Sequence, residues 1–245
     1  MKVKKLSIII PCYNEEDYIK PTLLRVLRAK IGEVKKEIIV INDGSCDASE
    51  SIIAKITKKY PIITLVNHAI NKGKGASIMT GLKRVTGDVV IIQDADCEYN
   101  PDDYNKLIKP FERDKADVVY GSRTLGIHIY GNRYSSLHFY LGGRLLTFVV
   151  NKLFYTRITD QPTGYKLFSK KLIPLLLKRV KEQGFSAEVE ITAAISQAGI
   201  QIIEIPIQYT PRTITQGKKI GIADFIQSLL VALKYKRIFN GNKRI

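Results

Sequence analysis

Tryptophan is absent, and cysteine, histidine and methionine are scarce: three Cys, three His and two Met in 245 residues. Cys12, Cys46 and Cys97 are odd in number and no two stand at a CxxC spacing. That excludes a disulfide scaffold and a thiolate metal site, and points to reduced thiols in a cytosolic chain. His68, His128 and His138 have no metal-ligand spacing and are given no role. No stretch reaches the roughly twenty uninterrupted apolar residues of a spanning helix. The nearest, 137–155, is broken by Arg144, Asn151 and Lys152 and reads as a helix lying on a core or a membrane surface. The basic start, MKVKKLSIIIPC, leaves only residues 6–10 before Pro11, too short an apolar region for a signal peptide. A GxGxxG dinucleotide fingerprint is missing, and Gly75 directly after Lys74 excludes a Walker loop. Acid is the last shortage: 23 Asp and Glu against 39 Lys and Arg, a net charge of +16 that predicts an anionic partner among nucleic acid, acidic lipid and phosphorylated substrates.

What is present is rhythm. Short apolar runs at 6–10, 37–41, 62–66, 89–92 and 117–120 alternate with helical patterns at 18–29, from Asp47 to 60, 77–85 and 101–113. Strands alternating with helices of that length call for a largely parallel, doubly wound α/β sheet. After Arg123 the order changes to the long apolar helix, a short strand at 167–169, helices at 171–181 and 187–197, and an alternating strand at 200–209 whose Pro206 argues for an edge. We read 1–210 as one domain and 211–245 as an appended basic loop and amphipathic helix at 222–238. In that helix Phe225, Ile226, Leu229, Leu230 and Leu233 form an apolar stripe between basic residues, as an interfacial helix would; a core-packed helix with a wet face fits the same periodicity.

The stretch DVVIIQDAD at 88–96 organises the rest. Val89 to Ile92 suit a strand buried on both faces, and Asp94 and Asp96 follow it into the crevice where open α/β sheets bind ligands. Two carboxylates at that spacing hold a hard cation, and such a cation holds phosphate oxygens. Loops 11–16, 42–45 and 121–123 end at the same edge, the first two with acid or amide groups and the last with the Arg123 guanidinium. Together they suggest a nucleoside-diphosphate ligand held through a metal.

The series IIIPCYNEE, IIVINDGSCD, NKGKGAS, IIQDADCEYNP, GSR and DQPTGYKLF resembles the inverting family-2 glycosyltransferases of the glycosyltransferase-A fold. The tail YTPRTITQGKKIGIADF is similar to the polyprenyl-phosphate glycosyltransferases of the dolichyl-phosphate mannose synthase type. The resemblance implies that Pro11, Tyr13, Glu15 and Asp43 line a base and ribose pocket, and that Lys74 belongs to the donor site. It implies that Asp94 and Asp96, with Glu98, meet the nucleotide and a Mg2+ or Mn2+ ion. Arg123, Arg133 and Ser136 would hold an acceptor phosphate, and Arg212 and Lys218 would close over the donor phosphates. Two positions depart from the pattern: Asn42 replaces the first acid of DDGS, and Glu98 stands where mannose synthases carry Gln.

The implied reaction is transfer of mannose or glucose from GDP-mannose or UDP-glucose to a polyprenyl phosphate at the cytoplasmic face of a membrane, with Asp96, Arg123 and Arg133 at its centre. A phosphate acceptor, with its second pKa of about 6, is already ionised at neutral pH and needs no base. A sugar-hydroxyl acceptor would need one, and Asp160 and Glu188 are the candidates. A nucleic-acid-binding module is the distant rival: the charge suits it, but no recognition motif interleaves with the basic residues.

Overall fold

The computed structural model describes residues 2–113, 116–213, 219 and 221–241, with side chains up to 236. Seven strands, β1 (Lys5–Cys12), β2 (Lys35–Asn42), β3 (Ile63–Asn67), β4 (Val89–Ile92), β5 (Val118–Ser122), β6 (Lys166–Ser169) and β7 (Ile202–Pro206), form one sheet in the order β3-β2-β1-β4-β6-β5-β7. β1 to β4 pair in parallel, as the alternation of strand and helix demands.

Successive side chains of a strand point to opposite faces, and both faces here are covered. Ile8, Ile10, Val89 and Ile91 enter one core with Ile19, Leu23 and Val26 of α1 (Ile19–Arg28), Ile53 of α2 (Ser49–Lys59), and Leu107 and Phe111 of α4 (Tyr104–Glu112). Ile9, Val90 and Ile92 enter the other, with Ile78 and Leu82 of α3 (Lys74–Leu82), Val150 and Phe154 of α6 (Leu137–Phe154), Leu176 of α7 (Ile173–Arg179) and Ile191 of α8 (Ala187–Gln197). This double burial explains why β4 reads as an unbroken apolar run.

The sheet is largely parallel as expected, and β6 is its one antiparallel strand, running opposite to both β4 and β5. The chain returns from α6 at the carboxyl edge and so enters β6 from the end where its neighbours leave. Its four residues are enough to mark a strand in sequence but carry no sign of its direction. β7 lies on the sheet's outer edge beside β5, with Pro206 closing it, as the missing proline donor requires. A short helix, α5 (Gly126–Tyr130), occupies a stretch that reads as loop in sequence.

The last helix, α9 (Ile222–Gly241), is not two-faced as expected. Val231, Ala232 and Tyr235 join the core under α6 and α8, while Ile226, Leu230 and Leu233 of the anticipated stripe are exposed. Phe225 and Leu229 pack partly buried against that core. Apolar residues thus occupy both the inner and the outer side of the helix.

Candidate active site

The loops after β1, β2, β4 and β5 gather at one edge, joined by the turn that leads into β6. After β2, Asp43 is buried, and its carboxylate accepts from the Lys72 N–H (3.0 Å) and the Gly73 N–H (2.7 Å). His68 Nδ1 lies 2.6 Å from the same carboxylate, and His68 Nε2 lies 2.9 Å from Thr80 Oγ1. Asp43 therefore braces the glycine loop in this structure, whereas the resemblance implies a place in a ribose pocket, and His68 acquires a part that its spacing does not announce. Gly73 takes φ +95°, and a Cβ there would stand 2.5 Å from the Gln183 carbonyl oxygen, so a side chain is excluded on both counts. Asn42 donates to Asn67 (3.1 Å) and to Glu50 (3.4 Å), contacts for which an aspartate carboxylate has no donor and in which it would repel Glu50.

The braced loop delivers Lys74. Its ammonium lies 2.7 Å from Asp94 and 2.8 Å from Glu188, and Glu188 also meets the buried Lys166 at 3.1 Å. Burial opposes the charge on Lys74, but the two carboxylates outweigh it and raise its pKa. Burial likewise pushes Glu188 up, yet Lys166 and Lys74 prevail and hold it at about 2. Lys166 is tied in turn to the carbonyls of Gln161 and Thr163, fixing the TGYK turn. In that turn a Cβ on Gly164 would fall 2.2 Å from Asp94 Oδ2, so glycine lets the backbone approach the carboxylate.

The remaining acids face the tail. Arg212 donates to Glu15 at 2.8 and 3.2 Å and to Asp96 at 3.1 Å, and its backbone N–H donates to Glu98 at 2.7 Å. Lys219 adds 2.7 Å to Glu15 and a bond to the Tyr13 carbonyl, while Lys218 lies outside the described residues. Pro11, the last residue but one of β1, is half-buried and paired with Ile41. Burial, then Asp94 and Glu98, push the Asp96 carboxyl up to about 7 against the pull of Arg212.

Among the described residues, no three acids or imidazoles converge on one point. The expected trio is divided, because Asp94 is drawn to Lys74 while Asp96 and Glu98 are drawn to Arg212. The donor set nevertheless fits Mg2+ or Mn2+. Such ions are held by one or two carboxylates plus substrate phosphates, and Asp96 has the carboxylates of Asp94 and Glu98 beside it against the single guanidinium of Arg212 at 3.1 Å.

On the other side of Tyr209 stands Arg123. Its Nε and Nη2 form a two-pronged pair with Asp160 (2.8 and 2.7 Å), and its backbone N–H donates to the same carboxylate at 2.8 Å. A cleft opens here, lined by Arg123, Thr124, Tyr134, Tyr140 and Arg144 among others. Arg133 is exposed and does not line it, and the Ser136 hydroxyl accepts from the Phe139 N–H to cap α6. The grouping of Arg123, Arg133 and Ser136 expected from sequence is therefore not formed. The loop after Gly131 has no periodic pattern from which its side-chain directions could be read.

The profile of glycosyl transferase family 2 matches residues 7–176. A dolichyl-phosphate beta-glucosyltransferase of Trichomonas vaginalis is 28% identical over 91% of this chain and 70% of its own. A UDP-N-acetylglucosamine–dolichyl-phosphate N-acetylglucosaminyltransferase of Methanococcus voltae is 27% identical over 98% of this chain and 100% of its own. Glucosyl-3-phosphoglycerate synthase of Mycobacterium tuberculosis, crystallised with Mn2+, UDP and phosphoglyceric acid, superposes with a TM-score of 0.69 at 17% identity, over 95% of this chain and 78% of that one. That likeness identifies the sheet and its helices as the glycosyltransferase-A fold. The chain belongs to glycosyl transferase family 2 and is a glycosyltransferase.

Proposed function

We propose that the protein transfers glucose, with inversion, from UDP-glucose to a polyprenyl phosphate, giving a lipid-linked sugar. The observation that carries this reading is the commitment of both candidate bases. Asp160 is bound three times by Arg123, and Glu188 is held ionised between Lys74 and Lys166. Neither is free to take a proton from a sugar hydroxyl, whereas an ionised phosphate needs none taken. The dolichyl-phosphate relatives support the acceptor class, and the glucosyltransferase among them supports the sugar over mannose.

In this reading Glu15, Asp94, Asp96 and Arg212 surround the diphosphate. A bound divalent cation supplies charge neutralisation to the departing nucleoside diphosphate. Arg212 adds a donor on the same side, and Asp94, fixed by Lys74 and by the close approach of Gly164, orients the sugar-phosphate end. Arg123, clamped by Asp160 and covered by the Tyr209 ring at 5.0 Å and the Tyr134 ring at 5.8 Å, presents a rigid donor edge toward the acceptor.

The acceptor is a lipid, and the outer apolar face gives it a surface to approach from. Leu137, Leu141, Leu145 and Phe148 on α6 and Ile222, Ile226, Leu230 and Leu233 on α9 are all at least half exposed, and the two helices pack side by side. No helix among the described residues is long and apolar enough to cross a membrane. We read this face as resting on a bilayer at the cytoplasmic side.

The deciding experiment is a panel of UDP-glucose, UDP-N-acetylglucosamine and GDP-mannose, each with and without polyprenyl phosphate and Mn2+. Lipid-dependent, cation-dependent consumption of UDP-glucose supports the reading. Transfer to a free sugar hydroxyl that Asp160→Asn or Glu188→Gln abolishes while donor binding survives would overturn it.

A further inference from the structure

We infer that Arg144 belongs to the acceptor site: with Arg123 and the Tyr140 hydroxyl it binds the phosphomonoester head, while the ester's aliphatic chain runs over the neighbouring outer face of α6. This rests on the phosphate-acceptor reading and names a residue that neither the sequence motifs nor the family resemblance picks out.

The helix geometry comes first. Tyr140, Gly143, Arg144 and Thr147 line the cleft, at the i, i+3, i+4, i+7 spacing of a single face. Leu137, Leu141, Leu145 and Phe148 form the adjacent strip, with exposures of 68%, 54%, 50% and 59%. Arg144 thus stands on the border between a polar cleft and an exposed apolar strip. A lipid phosphate needs that border, since its charge and its chain must be held side by side.

Charge points the same way. Arg144 is exposed and, among the described residues, has no carboxylate partner, whereas Arg123 spends Nε and Nη2 on Asp160. Nη1 of Arg123 and the Tyr140 hydroxyl make no hydrogen bond to any described residue. The Arg123–Asp160 pair is neutral as a unit, so Arg144 supplies the cleft's net positive charge. A dianionic phosphate offers three oxygens to such planar donors, and a guanidinium can engage two at once. The enclosed part of the cleft holds only about 10 Å³, room for one water, which puts the phosphate at the mouth, beside Tyr140 and Arg144.

Steady-state kinetics with polyprenyl phosphate and UDP-glucose test the inference in wild type, Arg144→Ala, Arg144→Lys and Lys152→Ala. The last removes an equal charge from the same helix about two turns on. Arg144 is exposed and unpaired with acid, so its variants fold, which circular dichroism checks. Expected for Arg144→Ala is an acceptor KM raised roughly 10- to 100-fold, as for loss of a charge-assisted hydrogen bond. The donor KM should stay within about twofold of wild type, Arg144→Lys should recover part of the loss, and Lys152→Ala should change little. An unchanged acceptor KM in Arg144→Ala, or an equal rise in Lys152→Ala, overturns the assignment while wild-type transfer to the lipid still stands. If wild type ignores polyprenyl phosphate and glycosylates a hydroxyl, the underlying reading fails first and this assignment falls with it.

Discussion

The hydroxyl of Tyr209 donates to Glu98 at 2.5 Å, and the face of the same ring lies 5.0 Å from the Arg123 guanidinium. One side chain therefore touches both the acids that face the tail and the arginine that faces the cleft. The acids around Arg212 and the cleft at Arg123 sit on opposite sides of a single phenol.

Tyr209→Phe separates these contacts. The ring remains over Arg123 while Glu98 loses a donor, so a stability loss of about 1 kcal/mol is expected. Affinity for UDP with Mn2+ should fall and acceptor KM should stay near wild type. Titration calorimetry with UDP and Mn2+ checks the first, and kinetics the second.

Gly164→Ala places a methyl 2.2 Å from Asp94 Oδ2, on a carboxylate whose other oxygen, Oδ1, is held by Lys74 at 2.7 Å. Donor affinity should drop by about tenfold or more, with little change in secondary structure. An alanine enzyme that binds UDP-glucose normally would show that the approach of this turn to Asp94 is not needed.

Glu188 is held at about 2, so it stays ionised across the working range. Glu188→Gln should lower kcat by loosening Lys74 but leave the acid limb of the pH–rate profile in place. That limb should follow Asp96 and the acceptor phosphate, with activity falling as pH drops below about 7 and further below about 6. A limb that vanishes in Glu188→Gln would return the base to this residue.

Glu37 supplies a stability test remote from the site. Burial alone would raise its carboxyl, but hydrogen bonds from Lys5, Ser7 and Thr86 win and depress it from 4.5 to about 2. A depressed acid stabilises the fold above its unfolded pKa and loses that contribution as pH falls toward the folded value. Glu37→Gln should lower Tm by roughly 2–6 °C at pH 7. The gap from wild type should close as the pH is brought down from about 4.5 toward 2, as followed by thermal melts across that range.

Much of this arrangement is legible in sequence because it depends on short-range pattern. The buried run at Val89–Ile92, the acids after it and the edge proline at Pro206 all announce themselves. What pairs with what does not. Asp43 and His68 lie 25 residues apart, and Glu15 and Arg212 lie 197 apart; sequence offers no spacing rule for such partners. Lys166 and Tyr209 sit inside recognisable motifs, yet their roles depend on burial beside particular carboxylates. The split of Asp94 from Asp96 and Glu98 escapes sequence for the same reason: lysine and arginine from distant segments pair with them. Arg144 reads in sequence as an interruption in an apolar helix, and only the position of Arg123 across the cleft gives it company.

The reversed direction of β6 has one more effect. Between two strands that lead outward, it leads inward, so the turn at 160–164 is held both by the strand it opens into and by Thr147 of α6, which accepts from the Gln161 N–H at 3.0 Å. Asp160 and Gly164 belong to that one turn, and they set Arg123 and Asp94 respectively. A length change of a single residue there would shift both partners together, so a turn that is short, irregular and outside every helix fixes two charged groups at once.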